Sequence, residues 1–248
     1  MDNYDCDLAY YTEEMAQQRI YNQMLENNFD EALNNREFVI YYQPKIDIDT
    51  EKVIGAEALV RWKKPDGSMV SPGDFIPVYE SDGLIERLDE YVFEQVCHLQ
   101  KIKMDEGETL LAISANLSRS SILYDGMPER YIEIVKENGI PFSCVPIELT
   151  ESAAIYSERI GKAIDRLVKA GFTLHIDDVC QQRGKTLVEQ VIVLAKLLNM
   201  NVIAEGVETK EQLDEIKEMK CDEVQGFYYA RPMPEQEFLE YVKENRLR

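Results

Sequence analysis

The sequence predicts an α/β domain whose largely parallel sheet is either open or closed into a barrel. Short apolar segments typical of strands alternate with longer segments in which apolar residues recur at helical spacing. Acidic and amide residues follow several predicted strands in a fixed order, as expected where strand ends meet at one face of a barrel. With 248 residues, 45% of them hydrophobic, the chain suits one large domain, or one domain with a short appendage.

The first predicted elements are a polar helix and a β-hairpin. Residues 12–33 contain few apolar positions for a helix, which is typical of a segment that packs on a neighbour or joins two domains. Residues 37–46 and 52–62 are rich in β-branched and aromatic residues and are predicted strands. The polar connection between them, residues 47–51, is short enough for the two strands to form a hairpin.

After the hairpin, predicted helices and strands alternate along the rest of the chain. Leu84, Leu88 and Val92 recur at helical spacing in the first of these helices, and Gly171 is placed to end a later one. The predicted elements are, in order, helix 84–103, strand 110–115, helix 128–138, strand 145–149, helix 158–170, strand 172–176, helix 185–199, strand 202–204, helix 210–219, strand 223–226 and helix 235–245.

Seven acidic and amide residues lie within or directly after these predicted strands. In a barrel of alternating strands and helices they converge on one face. Carboxylates that converge repel each other and raise each other's pKa, and a hard divalent cation with oxygen ligands removes that repulsion. The order therefore predicts a metal site for Mg²⁺, Mn²⁺ or Ca²⁺. The residues are Glu57, Asn116, Glu148, Asp177, Asp178, Glu205 and Gln225.

Several of these positions also have a purely structural interpretation. Glu57 is also compatible with a solvated strand end, and the Asp177–Asp178 pair with an N-terminal cap of the next helix. Arg61 is compatible with a surface ion pair, which is common and weak. The two histidines, His98 and His175, are expected to be packed or surface residues rather than ligands.

The composition excludes some classes of partner. The 27 Lys and Arg residues against 47 Asp and Glu residues give a net charge of −20, which repels nucleic acid polymers and anionic membranes but still allows a small anionic ligand beside bound cations. The five cysteines are odd in number and form no CxxC pair, so a reduced cytoplasmic setting is expected. No apolar run approaches the ~20 residues that span a bilayer, and no membrane contact is expected for this chain.

The ordered motifs resemble the EAL domain, a family of cyclic di-GMP phosphodiesterases. The resemblance predicts an EAL domain over residues 34–248 and a connector helix over residues 1–33, which resembles the tail of a GGDEF domain. It also allows a homodimer and an N-terminal GGDEF or sensory domain as partners. The motifs are YYQPKID at 41–47, EALVRW at 57–62, SPGDFIPVYESDGLI at 71–85, NLS at 116–118, ELTES at 148–152 and CDEVQGFYYARPMP at 221–234.

The resemblance implies a (β/α)8 TIM-like barrel with its first strand antiparallel and a two-metal site for hydrolysis of cyclic di-GMP to linear pGpG. Arg61 would contact a ligand phosphate, Gln43 a guanine, and Gln225 the site rim or its water. Glu151 and Glu208 would hold the loop after the fifth strand. Glu57, Asp177, Asp178 and Glu205 would carry the chemistry, and the ligands of two Mg²⁺ or Mn²⁺ ions would be Glu57, Asn116, Glu148, Asp177, Asp178 and Glu205.

The sequence departs from the family after Asp178. The family continues with a DFGTGYSSL-like loop and a sixth strand that carries a KxD lysine, the proposed general base, whereas this chain reads DDVC and leads into the helix predicted at 185–199. The 27 positions from Asp178 to Glu205 are fewer than the ~30 of a strand–helix–strand unit. Two interpretations follow: a degenerate domain that binds cyclic di-GMP or a protein without cleaving the nucleotide, or an active enzyme with a further stretch that this sequence omits. The second is favoured because a barrel without one strand exposes unpaired edges.

Overall fold

A mixed β-sheet that curls into part of a barrel forms the centre of the structure. The computed structural model describes residues 12–149, 157–176, 203–219 and 221–246. Its strands are β1 (Phe38–Asp47), β2 (Val53–Lys63), β3 (Met69–Val70), β4 (Ala112–Leu117), β5 (Ile147–Leu149), β6 (Leu174–Ile176), β7 (Ile203–Ala204), β8 (Glu223–Val224) and β9 (Met233–Pro234).

Eight α-helices surround this sheet in the described part of the chain. They agree with the predicted helices in order and type, apart from two that the sequence analysis does not include. They are α1 (Glu13–Asn34), α2 (Pro72–Asp82), α3 (Ile85–Asp105), α4 (Arg119–Leu123), α5 (Met127–Asn138), α6 (Glu158–Ala170), α7 (Lys210–Glu218) and α8 (Glu235–Arg246). None of them is both long enough and apolar enough to cross a membrane.

The strand order confirms a barrel-type sheet with an antiparallel first strand. Hydrogen-bonded neighbours follow the order β6-β5-β4-β2-β1-β8-β7, with the short strands β3 and β9 paired to β2 and β1. Strand β1 runs antiparallel to both β2 and β8, whereas β2, β4, β5 and β6 are mutually parallel, as are β7 and β8. Strands β6 and β7 are the two ends of this path, and residues 177–202 between them lie outside the described residues.

The predicted hairpin is confirmed, and its register brings two site residues together. Gln43 on β1 is the cross-strand partner of Glu57 on β2, so both side chains are on the same face of the sheet. On the next strand, Ser114 is the partner of Glu57. Further along, Asn116 pairs with Glu148. The same sheet face therefore carries polar residues from four neighbouring strands.

Two apolar clusters hold the helices to the sheet. The larger lies between the sheet and helices α3, α5 and α6 and includes Val96, Leu117 and Ile147. The smaller is aromatic and joins α1 and α2 to the hairpin, with Phe38 and Trp62 at its centre. The ring centroids of Phe38 and Trp62 are 5.3 Å apart. Helix α1, with little apolar surface, is held to the domain by this second cluster.

Helix α2 is not among the predicted elements, because its sequence argues against a helix. It contains Pro77 in its interior and Gly73 near its start, and both residues lower helix propensity. The helix forms because Phe75 and Tyr79 are fully buried in the aromatic cluster. Gly83, at a φ of 72°, ends it in the left-handed conformation. Tertiary packing here outweighs local propensity.

Candidate functional site

Three carboxylates meet inside the barrel. Glu57 lies in β2, Glu148 in β5, and Glu205 directly after β7. Each offers one oxygen atom, and these three oxygens lie within 4.8 Å of one another. Glu57 and Glu148 are buried, whereas Glu205 is partly exposed. We refer to these three residues as the acidic cluster. Its members come from three of the predicted metal-ligand positions, and carboxylates at this spacing can hold a hard cation.

Amide side chains surround Glu57 and set its orientation. Asn116 donates from Nδ2 to Glu57 Oε1 at 2.6 Å, and Gln225 donates from Nε2 to Glu57 Oε2. The Gln225 amide nitrogen is also 3.2 Å from Gln43 Oε1, and Gln43 donates in turn to the carbonyl oxygen of Ala230 at 3.2 Å. The structure thus brings four predicted site residues into one hydrogen-bonded network.

Glu148 is held by two basic side chains, one of which the sequence analysis missed. The Lys45 ammonium donates to Glu148 Oε1 and, at 2.8 Å, to Ser114 Oγ. His175 Nδ1 lies 3.4 Å from Glu148 Oε1. The alternation of β1 contains the signal for Lys45, because it falls on the same face as Gln43 two residues earlier. The expectation that His175 is simply packed omits this contact with a predicted ligand.

The pKa of Glu148 reflects this environment. Burial acts to raise the pKa, but the nearby Lys45 ammonium and His175 ring outweigh it and lower the pKa to about 2. Glu148 is therefore an ionised carboxylate. Its second oxygen, Oε2, is buried and has no hydrogen-bond partner among the residues that the structure describes, and neither has Gln225 Oε1. Buried oxygens of this kind are usually satisfied by an ion, water or ligand.

Arg61 lies on β2 four residues after Glu57, and it is half-buried. Its guanidinium carbon is 5.6 Å from the centre of the Tyr41 ring, and its Nη1 donates to the carbonyl oxygen of Val60 at 2.8 Å. Burial lowers the pKa of Arg61, and the nearby carboxylate of Glu57 offsets this effect only in part. The guanidinium nevertheless stays protonated, as it does in proteins generally. A cavity of about 180 Å³ adjoins Arg61 and Asn116. The positively charged guanidinium group of Arg61 thus lies near the carboxylate of Glu57 and beside this cavity.

A close backbone approach positions Glu205 and Gln225. Gln225 donates its backbone N–H to Ala204 at 2.8 Å, and Val207 donates to the Gln225 carbonyl oxygen at 3.2 Å. A Cβ atom on Gly226 would lie 2.0 Å from the carbonyl oxygen of Val207. Only glycine allows these two segments to meet so closely. The segment after β7 and the end of β8 are consequently joined at the site.

The remaining predicted site residues are not part of this described geometry. Glu208 is exposed, and its backbone N–H donates to Gln212 Oε1 at 2.8 Å at the start of α7. Its role in holding a loop stays a prediction. Glu151, Asp177 and Asp178 lie outside the described residues, as do the helix predicted at 185–199 and the position expected for a family lysine.

Comparison with known proteins links this site to a family. The EAL domain family model matches residues 26–186 and 180–232. MucR of Pseudomonas aeruginosa, a bifunctional diguanylate cyclase and cyclic di-GMP phosphodiesterase, is 28% identical over 88% of this chain and 36% of its own length. The cyclic di-GMP phosphodiesterase RocR of the same species is 29% identical over 85% of this chain and 61% of its own length. The chain thus spans about a third of MucR and less than two thirds of RocR.

Solved structures agree with this assignment. The structure of the PaMucR phosphodiesterase in complex with c-di-GMP matches with a TM-score of 0.77 and 26% identity, over 87% of this chain and 99% of that chain. Because the family model matches most of the sequence and the fold matches a solved member, this chain belongs to the EAL domain family.

Proposed function

We propose that this EAL domain is a metal-dependent phosphodiesterase that hydrolyses cyclic di-GMP to linear pGpG. The acidic cluster carries the proposal, because three carboxylate oxygens within 4.8 Å of one another are held rigidly inside a barrel of this family. MucR and RocR, which share 28% and 29% identity with the chain, are cyclic di-GMP phosphodiesterases by name, and this supports the same substrate.

The described residues fit a hard divalent cation, and the family resemblance extends this to a pair of Mg²⁺ or Mn²⁺ ions. Their donors are oxygen atoms, which these cations prefer, and the buried oxygens Glu148 Oε2 and Gln225 Oε1 have no partner in the described chain. The ligands would be Glu57, Asn116, Glu148 and Glu205, with Asp177 and Asp178 added by resemblance. When bound, such ions lower the pKa of a water molecule and stabilise negative charge on phosphate oxygens.

The side chains beside the cluster have roles that follow from their chemistry. Arg61 would bind a phosphate, since its planar guanidinium matches two phosphate oxygens, and Tyr41 beneath it restricts its orientation. Gln43 would donate to or accept from the edge of a guanine. The amides of Asn116 and Gln225 would hold the Glu57 carboxylate in one orientation, which preorganises the site before ligand binds.

One observation favours a second function, a receptor that binds cyclic di-GMP without cleaving it. The family's proposed general base is a lysine with an aspartate two positions later, and no lysine between Asp178 and Glu205, where the family carries it, has an aspartate at that spacing. The ligand set would remain, so nucleotide binding would persist while the proton-transfer step of hydrolysis lost its base. The family model matches in two segments that overlap at residues 180–186, where this pattern is lost.

A hydrolysis assay separates the two functions. Purified protein is incubated with cyclic di-GMP and Mg²⁺ or Mn²⁺, and pGpG is measured by chromatography, with Glu57→Gln as the inactive control. We expect pGpG from the wild type only. Binding measured by calorimetry with Ca²⁺, without any pGpG formation under either metal, would instead establish the receptor. If the protein neither binds nor cleaves cyclic di-GMP, both functions are wrong.

A further inference from the structure

Lys45 is a buried ammonium group inside the barrel, next to the acidic cluster. Its exposed fraction is 2%, and it is the only lysine or arginine among the buried residues of the described chain. Lysine is almost never buried unless it is paired. Its register partner on β2 is Gly55, two residues before Glu57, so Lys45 approaches the cluster from deeper in the sheet. This placement is unusual enough to require an electrostatic reason.

The contacts of Lys45 tie it to the cluster. Its Nζ contacts Glu148 Oε1 and donates at 2.8 Å to Ser114 Oγ, and Ser114 in turn donates to the carbonyl oxygen of Ala56 at 3.1 Å. Burial acts to lower the pKa of Lys45, but the carboxylates of Glu148, Glu57 and Glu205 together outweigh it and raise the pKa. Lys45 is therefore positively charged, and its two contacts hold the Nζ atom in place. All three carboxylates of the acidic cluster attract this charge.

From this geometry we infer that Lys45 is a resident counter-ion of the acidic cluster, which stabilises the fold without metal and weakens the binding of divalent cations. The inference rests on the proposed metal-dependent function. Without metal, three carboxylates at this spacing repel each other, and the Lys45 charge reduces that repulsion. With metal, the same ammonium repels the incoming cation. Lys45 is thus a positioning residue, since it acts through Glu148 and its contacts give it no role toward substrate.

Glu148 shows how one residue can serve both cations. Its Oε1 atom is occupied by Lys45, while Oε2 is buried and has no partner within the described part of the chain. Lys45 therefore orients Glu148 to offer Oε2 to a metal ion. The two effects of Lys45 have opposite signs for metal affinity: orientation strengthens binding and repulsion weakens it. At separations of a few ångströms in a protein interior, the repulsion of a divalent cation by an ammonium is expected to dominate.

The test compares metal binding in three variants of the full chain. Lys45→Met keeps the length and bulk of the side chain without its charge, and Lys45→Arg keeps the charge. Lys63→Met, at an exposed position on β2, is the matched control for the change in net charge. Mn²⁺ affinity is measured by calorimetry, and melting temperatures are measured in EDTA and in Mn²⁺.

We expect Lys45→Met to bind Mn²⁺ about tenfold or more tightly than the wild type, as removal of a nearby like charge predicts. Its melting temperature should fall in EDTA and rise more steeply with Mn²⁺. Lys45→Arg and Lys63→Met should keep the wild-type affinity. If Lys45→Met folds only in the presence of Mn²⁺, that result also supports the inference, because the metal then replaces the missing counter-ion.

The outcomes distinguish this inference from the proposed function. Wild-type Mn²⁺ binding, with equal or weaker binding by Lys45→Met, would overturn the counter-ion role and leave the proposed function standing. If neither protein bound Mn²⁺, the metal site itself would be wrong and the inference would fail with it. Binding by Lys45→Met alone would show that Lys45 excludes the metal, which supports the inference in its strongest form.

Discussion

Glu57 connects three parts of the site through one carboxylate. Its oxygens accept hydrogen bonds from Asn116 on β4 and from Gln225 directly after β8, and these two strands lie on opposite sides of β2 in the sheet order. Glu148 and Glu205 each place a carboxylate oxygen within 4.8 Å of it. Substitution at this position consequently changes the charge of the cluster and removes an acceptor from two amides.

The first prediction concerns metal binding at Glu57. A bound cation stabilises the folded state by mass action, so Mg²⁺ or Mn²⁺ should raise the melting temperature of the wild type. Glu57→Ala should reduce or abolish that rise because it removes one proposed ligand. Glu133→Ala removes an exposed carboxylate on α5 and should leave the rise unchanged. The measurement is thermal unfolding with and without metal. A full metal-induced rise in Glu57→Ala would remove Glu57 from the site.

The second prediction concerns Arg61. Arg61→Ala should weaken cyclic di-GMP binding by about 1.5–3 kcal/mol, the range for a hydrogen bond to a charged group, and should leave metal binding largely intact. Arg159→Ala changes the net charge equally at an exposed residue that pairs with Asp125, so it is the matched control. Calorimetry in Ca²⁺ measures both affinities. Equal losses in the two variants would mean that Arg61 acts through general electrostatics and not through contact.

At the scale of the element, helix α4 depends on a carboxylate from another helix. Asp89 on α3 is buried, and its Oδ2 accepts the backbone N–H of Ser118 at 2.9 Å and the hydroxyl of Ser121 at 2.6 Å. Burial raises the pKa of Asp89 to about 6, although these hydrogen bonds act to lower it. Asp89 therefore connects α3 to the start of α4, next to the strand that carries Asn116.

The third prediction follows from the sign of this pKa shift. A raised pKa means that the folded state binds the proton more tightly, so the stability from Asp89 is greatest below its ordinary pKa of 3.8 and is lost as pH rises through about 6. Asp89→Asn keeps an acceptor oxygen and has no charge. The free energy of unfolding of Asp89→Asn, relative to that of the wild type, should therefore increase by about 1–3 kcal/mol as the pH rises from 4 to 7.

Denaturant unfolding at several pH values measures this difference. Asp89→Ala is the control, because it leaves the Ser118 N–H without its acceptor and should destabilise the protein at every pH. If the difference between Asp89→Asn and wild type is flat from pH 4 to pH 7, the charged form of Asp89 carries no burial penalty and the prediction is wrong.

The fourth prediction concerns the contact between β8 and the segment after β7. Gly226→Ala would place a methyl group 2.0 Å from the Val207 carbonyl oxygen, and backbone cannot move aside cheaply. We expect a lower melting temperature and weaker Mn²⁺ binding, since Glu205 and Gln225 flank this contact. Gly73→Ala in α2 is the control: the nearest atom to its Cβ is Ser71 Oγ at 3.6 Å, so the variant should be neutral or slightly stabilising. Unchanged Mn²⁺ affinity in Gly226→Ala would contradict the prediction.

At the scale of the whole molecule, seven barrel strands are described, and the family fold that the sequence resembles has eight. The described path ends at β6 and β7, and the 26 residues between them, 177–202, are fewer than the ~30 of a strand–helix–strand unit. Unpaired strand edges inside a barrel are unfavourable. We propose that the protein in its source contains a further strand and loop between Val179 and Lys185. We also propose that the connector helix and the EAL domain meet near residue 34.

The fifth prediction tests that proposal by mass spectrometry of the protein from its native source. We expect residues 170–183 not to form one contiguous tryptic peptide, and the mass to exceed the 28.7 kDa of this sequence by at least one strand–helix unit, about 3–4 kDa. Detection of the contiguous peptide would show that the strand and its lysine are absent. The receptor function would then be preferred over the phosphodiesterase.

Short-range features of the chain are sufficient to predict most of its elements. Helix α6 is predicted with its observed bounds from the apolar spacing and from Gly171 after its end, and in the structure Ser157 caps its start and Gly171, at a φ of 108°, ends it. The hairpin follows from two β-rich segments and a short polar connection. The order of Glu57, Asn116, Glu148 and Glu205 along successive strands predicts the site face, since strand ends on one edge converge. Each of these inferences depends only on residues close together in the sequence or on the alternation of strands and helices along the chain.

Tertiary structure alone decided the features that depend on distant partners. Helix α2 forms despite Pro77 because aromatic residues from α1 and the hairpin bury its apolar face. Lys45 is an ordinary strand residue in sequence, and it becomes a buried cation only because Glu148, 103 positions away, meets it inside the barrel. The close approach of Gly226 to Val207 likewise joins two separate segments. The sequence by itself determined most of the elements, their order and the acidic face, whereas burial and charge pairing exist only when the barrel brings remote side chains into contact.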